Sequence, residues 1–204
     1  MQDYLAVTQI IDWQHPTILE LAEHLAKGQN SKEKIAKVCF EWVRDEIKHS
    51  VDYQMNPVTC SASEVLEYRT GYCFAKSHLL AALLRANGIA AGFCYQRLSI
   101  FDDGAPYSLH GFNAVYLPQY GWYRIDARGN KEDVNAQFIP PQEQLAFQLN
   151  FAEEFDCKKV FDRPLDIVVN SLQKYRDWDK LLDYLPDCDR LDYLEKKINS
   201  RATF

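Results

Sequence analysis

Three residues of the types that serve in thiol catalysis stand at boundaries between sequence patterns: Cys73, His110 and Asp126. Cys73 opens a helical pattern just after Gly71. A thiol at a helix N-terminus faces unpaired backbone N–H groups and the positive end of the helix dipole, which favours the nucleophilic thiolate. A thiolate catalyst usually needs a base and a group that orients the base. Cys73 is therefore the candidate nucleophile.

The other cysteines stand in less favourable positions. Cys39 falls on the apolar stripe of a helix and Cys94 lies in the middle of a strand, whereas Cys157 and Cys188 have acidic neighbours. Cys60, in a loop, is the only other serious candidate. No CxxC pair and no histidine at zinc-finger spacing occurs, so the sequence predicts no metal site and no cofactor.

A base and its partner are predicted in a hairpin. His110 begins the alternating run HGFNAVYL, and Asp126 ends the run WYRID that follows the PQYG connection. The two residues lie directly opposite each other if the hairpin tip is at Pro118. A tip at Tyr120-Gly121 separates them by about three positions, or on the order of 10 Å, which a bulge would partly close. The sequence leaves this register open.

The elements that must position these residues follow from the patterning. Apolar periodicity and capping residues predict helices over 16–28, 31–48 with Ser31 as N-cap, a short helix capped by Ser61 or Ser63, and 73–88. Strands follow, and helical patterns return over 140–155, 166–185 and 189–199. The order predicts an α+β fold with an antiparallel sheet. We expect one domain over 1–204, with a core at about 31–130 and a helical C-terminal extension at about 136–204.

Composition limits the function classes. The 204 residues are 47% hydrophobic and 25% charged, which excludes disorder, and the net charge of −6 argues against a nucleic-acid partner. No 18-residue apolar run and no signal-peptide pattern occurs, so we expect no membrane partner and a cytoplasmic protein with reduced thiols.

Two segments resemble the transglutaminase-like superfamily. The run GYCFAKSHLLAALLRANGIAAGF is similar to its catalytic segment, and HGFNAVYLPQYGWYRIDARGN is similar to its histidine and aspartate strands. The preceding CFEWVRDEIKHSVDY resembles the stretch before the catalytic cysteine, so the resemblance covers about residues 35–130. It implies a papain-like or transglutaminase-like core, in which a catalytic cysteine at a helix N-terminus packs on a small antiparallel sheet that carries histidine and aspartate.

The resemblance also implies the chemistry. Cys73 would be the nucleophile, His110 the base and Asp126 its orienter, in a cysteine protease, amidase or transglutaminase that acts on a peptide or amide-containing substrate. Gln54 and Asn56 are the candidates for a second oxyanion donor beside the backbone N–H of Cys73. Five positions carry residues that differ from those of many superfamily members, and these differences leave the substrate preference open. They are Ala90, Gly92, Phe112, Ala114 and Ala127.

Two alternatives remain at this point. The fold could serve as a non-catalytic module that binds or scaffolds peptides, with the C-terminal third covering the cleft. The thiol of Cys73 could instead act in redox chemistry with Cys60 or Cys94, which the missing CxxC spacing disfavours.

Overall fold

The computed structural model describes residues 1–189. Six α-helices lie in this part of the chain: α1 Pro16–Ala26, α2 Lys32–Glu46, α3 Ala62–Tyr68, α4 Cys73–Ala86, α5 Asp166–Lys174 and α6 Trp178–Leu182. The strands are β1 Lys48–His49, β2 Thr70–Gly71, β3 Ala91–Ser99, β4 Tyr107–Leu117, β5 Gly121–Ile125, β6 Gln137–Ile139, β7 Gln142–Gln144 and β8 Phe155–Phe161.

Helix starts follow the capping residues of the sequence. The Ser31 hydroxyl accepts the Lys34 N–H at the start of α2. At the start of α3, Ser61 and Glu64 form a reciprocal capping box, so Ser61 rather than Ser63 is the N-cap. Helix α4 ends before Asn87 and Gly88, where Gly88 has a φ of +65° that a glycine adopts without steric cost. These predictions are confirmed.

Helix α4 is the centre of the molecule. Every residue from Cys73 to Arg85 is buried, because α1, α2 and α3 pack on one side of the helix and β3 and β4 on the other. One cluster of buried side chains extends from Ile11 to Leu181. This continuity favours the prediction of a single domain. It also leaves the N-terminus of α4 as the place where the helix layer meets the sheet.

The main sheet is antiparallel and has the strand order β5-β4-β3-β8. The predicted α+β class is therefore confirmed. In the β4–β5 hairpin, Leu117 pairs with Gly121 and Asn113 pairs with Ile125. Continuing this register places Asp126 opposite Phe112, two residues from His110 and on the same face of the sheet. His110 and Asp126 are therefore offset by two positions along the strands, rather than by zero or three. No bulge is needed to bring them together.

The predicted helix over 140–155 is wrong. Residues 137–144 form the β6–β7 hairpin, and Phe155 begins β8. Tertiary hydrogen bonds override the local helical pattern here: the Tyr123 hydroxyl donates to Gln142 O at 2.8 Å, and Arg124 forms a bidentate pair with Glu143. The C-terminal part therefore contributes strands before it contributes helices.

The helical pattern over 166–185 is confirmed, since it contains α5 and α6. The pattern predicted over 189–199 lies outside the described residues except for Asp189. In the described part of the chain, no helix combines the length and the apolar character needed to cross a membrane.

The close packing of β8 requires a glycine at position 92. A Cβ at this position would lie 2.4 Å from Val160 Cγ1 and 2.8 Å from the Phe161 carbonyl oxygen. Because β8 approaches β3 so closely, the arginine that many members of the resembling family carry here would not fit. This departure therefore reflects the strand added at the edge of the sheet.

A second glycine sets the distance between α4 and β4. A Cβ on Gly111 would lie 2.6 Å from Phe74 Cδ1, and Phe74 is buried. We expect Gly111→Ala to lower the free energy of unfolding in urea by about 1–3 kcal/mol through overpacking. Adding Phe74→Leu should recover part of this loss. If the two substitutions instead lower the free energy of unfolding in a strictly additive way, the contact between position 111 and Phe74 is contradicted.

Candidate active site

The backbone on both sides of the cleft fixes the position of Cys73. Strand β2 pairs in parallel with β1, with Lys48 N donating to Arg69 O at 3.0 Å and Ser50 N donating to Gly71 O at 3.1 Å. A short strand, β2, therefore leads directly into α4. Tyr72, the N-cap, provides no side-chain cap, which leaves first-turn N–H groups available at the cleft.

His110 and Asp126 form a buried hydrogen bond. His110 Nε2 donates to Asp126 Oδ2 at 2.8 Å, and their side chains are 7% and 1% exposed. The Phe112 and Phe147 rings contact the imidazole, with the Phe147 centroid 5.0 Å away at a right angle. These contacts fix the orientation of the ring and exclude water from the pair.

Cys73 and His110 line the same cleft. Because Nε2 is bonded to Asp126, Nδ1 is the ring nitrogen of His110 that is left for Cys73. The structure thus brings the three predicted residues together in the order Cys73, His110, Asp126. Cys73 itself is 9% exposed, so its thiol is reached only through the cleft.

The pKa of His110 is set by opposing effects. Burial lowers the pKa, but the Asp126 carboxylate and the Cys73 thiolate outweigh burial and raise it from 6.5 to about 10. Since the pKa is raised in the folded state, the associated stability is fully present below pH 6.5 and is lost as pH rises through about 10. The surroundings of His110 therefore favour its protonated form, the imidazolium, at neutral pH.

The Asp126 carboxylate is satisfied on both oxygens. Besides His110, it accepts Ala146 N–H at 3.1 Å and Arg128 N–H at 3.2 Å. Burial raises the pKa of Asp126, whereas His110 and the two backbone donors together lower it by more. The net shift of the pKa is therefore downward. The residue therefore stays ionised and holds His110 in one tautomer.

A cleft of about 910 Å³ opens at this point. Both walls contribute polar and apolar side chains, with Cys73 and His110 among the residues that line it. Leu182 and Leu185 from the C-terminal segment also line it. The cleft is large enough to admit a peptide-sized substrate beside the thiol.

A second charged group, which the sequence did not reveal, borders the cleft. Arg128 forms a bidentate ion pair with Asp52, with Arg128 Nη2 2.9 Å from Asp52 Oδ1. Asp52 Oδ2 lies 3.7 Å from Nδ1 of the buried His49. Burial, followed by the positive charge of Arg128, holds the pKa of His49 well below its usual value, so this imidazole is neutral. The motifs KHSVDY and DARGN contain these residues, but 76 positions separate Asp52 from Arg128.

Lys76 is also an unexpected buried charge. One turn after Cys73, its ammonium group donates to the carbonyls of Arg44 and Ile47 at the end of α2. Burial lowers its pKa to about 7, with Arg128 adding to the shift and Asp126 opposing it. Lys76 therefore connects the end of α2 to the first turn of α4, where Cys73 lies.

Asn56 and His78 form hydrogen bonds to other parts of the structure. The amide of Asn56 binds the C-terminal segment, since its Oδ1 accepts Trp178 N–H at 2.8 Å and its Nδ2 donates to Asp177. Neither Asn56 nor Gln54 lines the cleft, so the predicted role of either as oxyanion donor is not supported. His78 Nδ1 donates to Cys60 O at 2.7 Å, and burial lowers the pKa of His78 to about 4.

Three of the other cysteines, Cys39, Cys60 and Cys94, are buried thiols. Burial raises the pKa of Cys39 and of Cys60 to about 12, and it also raises the pKa of Cys94. Within residues 1–189 no group of three or more histidine, cysteine, aspartate or glutamate side chains could hold a metal ion.

Two solved structures show partial similarity to this chain. A candidate cysteine protease from Cytophaga hutchinsonii matches with 21% identity and a TM-score of 0.49, over 61% of this chain and 40% of that chain. The periplasmic domain of TgpA from Pseudomonas aeruginosa matches with 19% identity and a TM-score of 0.45, over 61% of this chain and 45% of that one. The match thus spans less than half of either relative.

The sequence itself gives the stronger match. No curated protein is significantly similar to it. The model of the transglutaminase-like superfamily matches residues 19–127, which is just over half of the chain and includes Cys73, His110 and Asp126. This protein belongs to the transglutaminase-like superfamily.

Proposed function

We propose that this protein catalyses thiol-dependent acyl transfer at amide or peptide carbonyls, with Cys73 as nucleophile, His110 as base and acid, and Asp126 as the residue that orients His110. The observation that carries the proposal is the buried Asp126–His110 hydrogen bond in a cleft that Cys73 also lines, at the N-terminus of α4. A thiol at a helix N-terminus with a base and an orienting carboxylate beside it is the arrangement that a thiolate nucleophile requires.

In the first half-reaction the Cys73 sulfur attacks the carbonyl carbon, and the electron pair of the C=O bond moves to oxygen. The backbone N–H of Cys73 at the start of α4 stabilises this oxyanion. The C–N bond then breaks, and the departing amine takes the proton from His110. A thioester remains on Cys73, and neutral His110 keeps its hydrogen bond to Asp126.

In the second half-reaction His110 removes a proton from the incoming nucleophile, which attacks the thioester. Water yields a carboxylic acid, as in a protease or amidase, whereas an amine yields a new amide, as in a transglutaminase. Both routes regenerate the thiolate and the imidazolium. Incubation with an acyl donor, with and without a primary amine, distinguishes them by product mass.

The alternatives are less well supported. A peptide-binding module without activity has no need for the buried Asp126 carboxylate or for its three hydrogen bonds. A redox role would require a second reactive thiol, but burial raises the pKa of Cys60 and of Cys94. The cytoplasmic location stays a prediction.

Labelling tests the nucleophile. We expect Cys73 to react rapidly with iodoacetamide at pH 6–7 and Cys73→Ala to abolish this reaction together with any amidase or transamidase activity. Cys60→Ala is the matched control and should retain both, because that thiol is buried. Wild-type labelling rates in Cys73→Ala would refute the assignment.

The pH profile of labelling tests the base. In wild type the rate should change little across neutral pH, because His110 holds the thiolate as an ion pair. In His110→Ala the half-maximal rate should move upward toward pH ~8.5, the value of a free thiol. Stopped-flow alkylation from pH 5 to pH 10 gives both profiles, and identical profiles would show that His110 is not the partner.

Asp126→Asn tests the orienting residue. The amide keeps the size of the side chain but loses the negative charge that fixes the tautomer of His110. We expect the turnover number to fall by about 10²–10⁴-fold with a smaller change in KM. A fall confined to KM would place Asp126 in substrate binding instead.

A further inference from the structure

The last described segment of the chain crosses the cleft and contacts both catalytic walls. On the wall that carries Cys73, the hydroxyl of the preceding residue, Tyr72, donates to Trp178 O. On the wall that carries His110, the N–H of the preceding residue, Leu109, donates to Pro186 O at 2.8 Å. The segment therefore lies over the reactive pair.

The contact with Leu109 uses an open strand edge. Strand β5 pairs with β4 only from Asn113 to Leu117, so the same edge of β4 from Tyr107 to Phe112 has no partner strand in the sheet. An unpaired edge with free N–H and C=O groups is a common binding site for an extended peptide. Here that edge leads directly to His110.

A carboxylate site lies beside the same edge. Arg97 is opposite Leu109 in the β3–β4 ladder, and its guanidinium binds Asp187 through two hydrogen bonds of 2.8 and 2.7 Å. The guanidinium also stacks 4.3 Å above the Tyr107 ring and donates to Glu153 O at 3.0 Å. Because these two contacts do not involve Asp187, Arg97 is prearranged to bind a carboxylate.

The segment that occupies this edge has the features of a bound peptide. Leu185 lines the cleft, Pro186 presents its carbonyl to the strand, and Asp187 binds Arg97. The residue before a proline favours an extended backbone, and proline has no N–H that would need a partner. An apolar residue is thus followed two positions later by a carboxylate.

We propose that the β4 edge at Leu109, together with Arg97, is the binding site for the substrate chain, and that residues 185–187 occupy it as a substrate-like peptide. The preferred substrate is an extended polypeptide with an apolar residue in the cleft and an acidic residue two positions later. This proposal rests on the proposed function, because it assigns the substrate class of the same site.

Two substitutions break the same ion pair with opposite consequences for an added peptide. Asp187→Asn releases the segment and leaves Arg97 free, whereas Arg97→Gln releases the segment and removes the carboxylate site. Asp183→Asn, which changes a nearby exposed acid, is the matched control. The probe is a fluorescein-labelled peptide with the sequence of residues 183–189 and serine at position 188, and fluorescence anisotropy measures its binding to the full chain.

We expect Asp187→Asn to bind the probe at least about threefold more tightly than wild type or Asp183→Asn, in line with the loss of one exposed ion pair. Arg97→Gln should bind it about tenfold more weakly than Asp187→Asn. Equal affinities of these two variants would overturn the proposal. If Arg97→Gln does not fold, the same comparison is made on the Asp187→Asn protein with two probes. One probe has aspartate at position 187 and the other has asparagine there.

A second measurement relates the edge to the nucleophile. The probe should slow iodoacetamide labelling of Cys73 in Asp187→Asn, because Leu185 lies in the same cleft; binding without protection would refute the link. Absence of fast Cys73 labelling in every variant would instead contradict the proposed function. The two failures are therefore distinguishable.

Discussion

The buried hydrogen bond between Asp126 and His110 is the constraint around which the rest of the structure is arranged. An ionised carboxylate that is 1% exposed is unfavourable unless several donors surround it. Three parts of the chain provide them: β4 through His110, the turn after β5 through Arg128 N–H, and the segment after β7 through Ala146 N–H. The segment that follows the β6–β7 hairpin therefore belongs to the candidate site, as the central helix does.

Arg128 connects this centre to the opposite wall of the cleft. Its backbone N–H binds Asp126, and its guanidinium binds Asp52, three residues after His49. One residue thus links the orienting carboxylate to the strand that pairs beside the entry into α4. A shift of either wall would disturb both hydrogen-bonding sites, so the two walls are mechanically coupled through a single side chain.

The sequence was sufficient to predict the helices around the site, because capping residues and apolar periodicity are local signals. The choice of Cys73, His110 and Asp126 depended in addition on the resemblance to the transglutaminase-like superfamily. The β4–β5 offset was not predictable, because the PQYG connection is compatible with several turn lengths. The hairpin at 137–144 was missed since hydrogen bonds to Tyr123 and Arg124 outweigh its helical pattern. The pair of Arg128 with Asp52 joins positions 76 residues apart, which no local pattern reports.

Strand β8 has a consequence for the behaviour of the protein in solution. By pairing with β3 beside Gly92, it covers the edge of that strand and becomes the outer strand on this side of the sheet. On the other side, β4 has an edge without a partner strand before its pairing with β5 begins, and exposed edges of this kind promote self-association between sheets. The stretch that contains Pro186 covers this edge, because the Pro186 carbonyl accepts the Leu109 N–H. The stretch that contacts the cleft is therefore also the one that shields β4 from strands of other molecules.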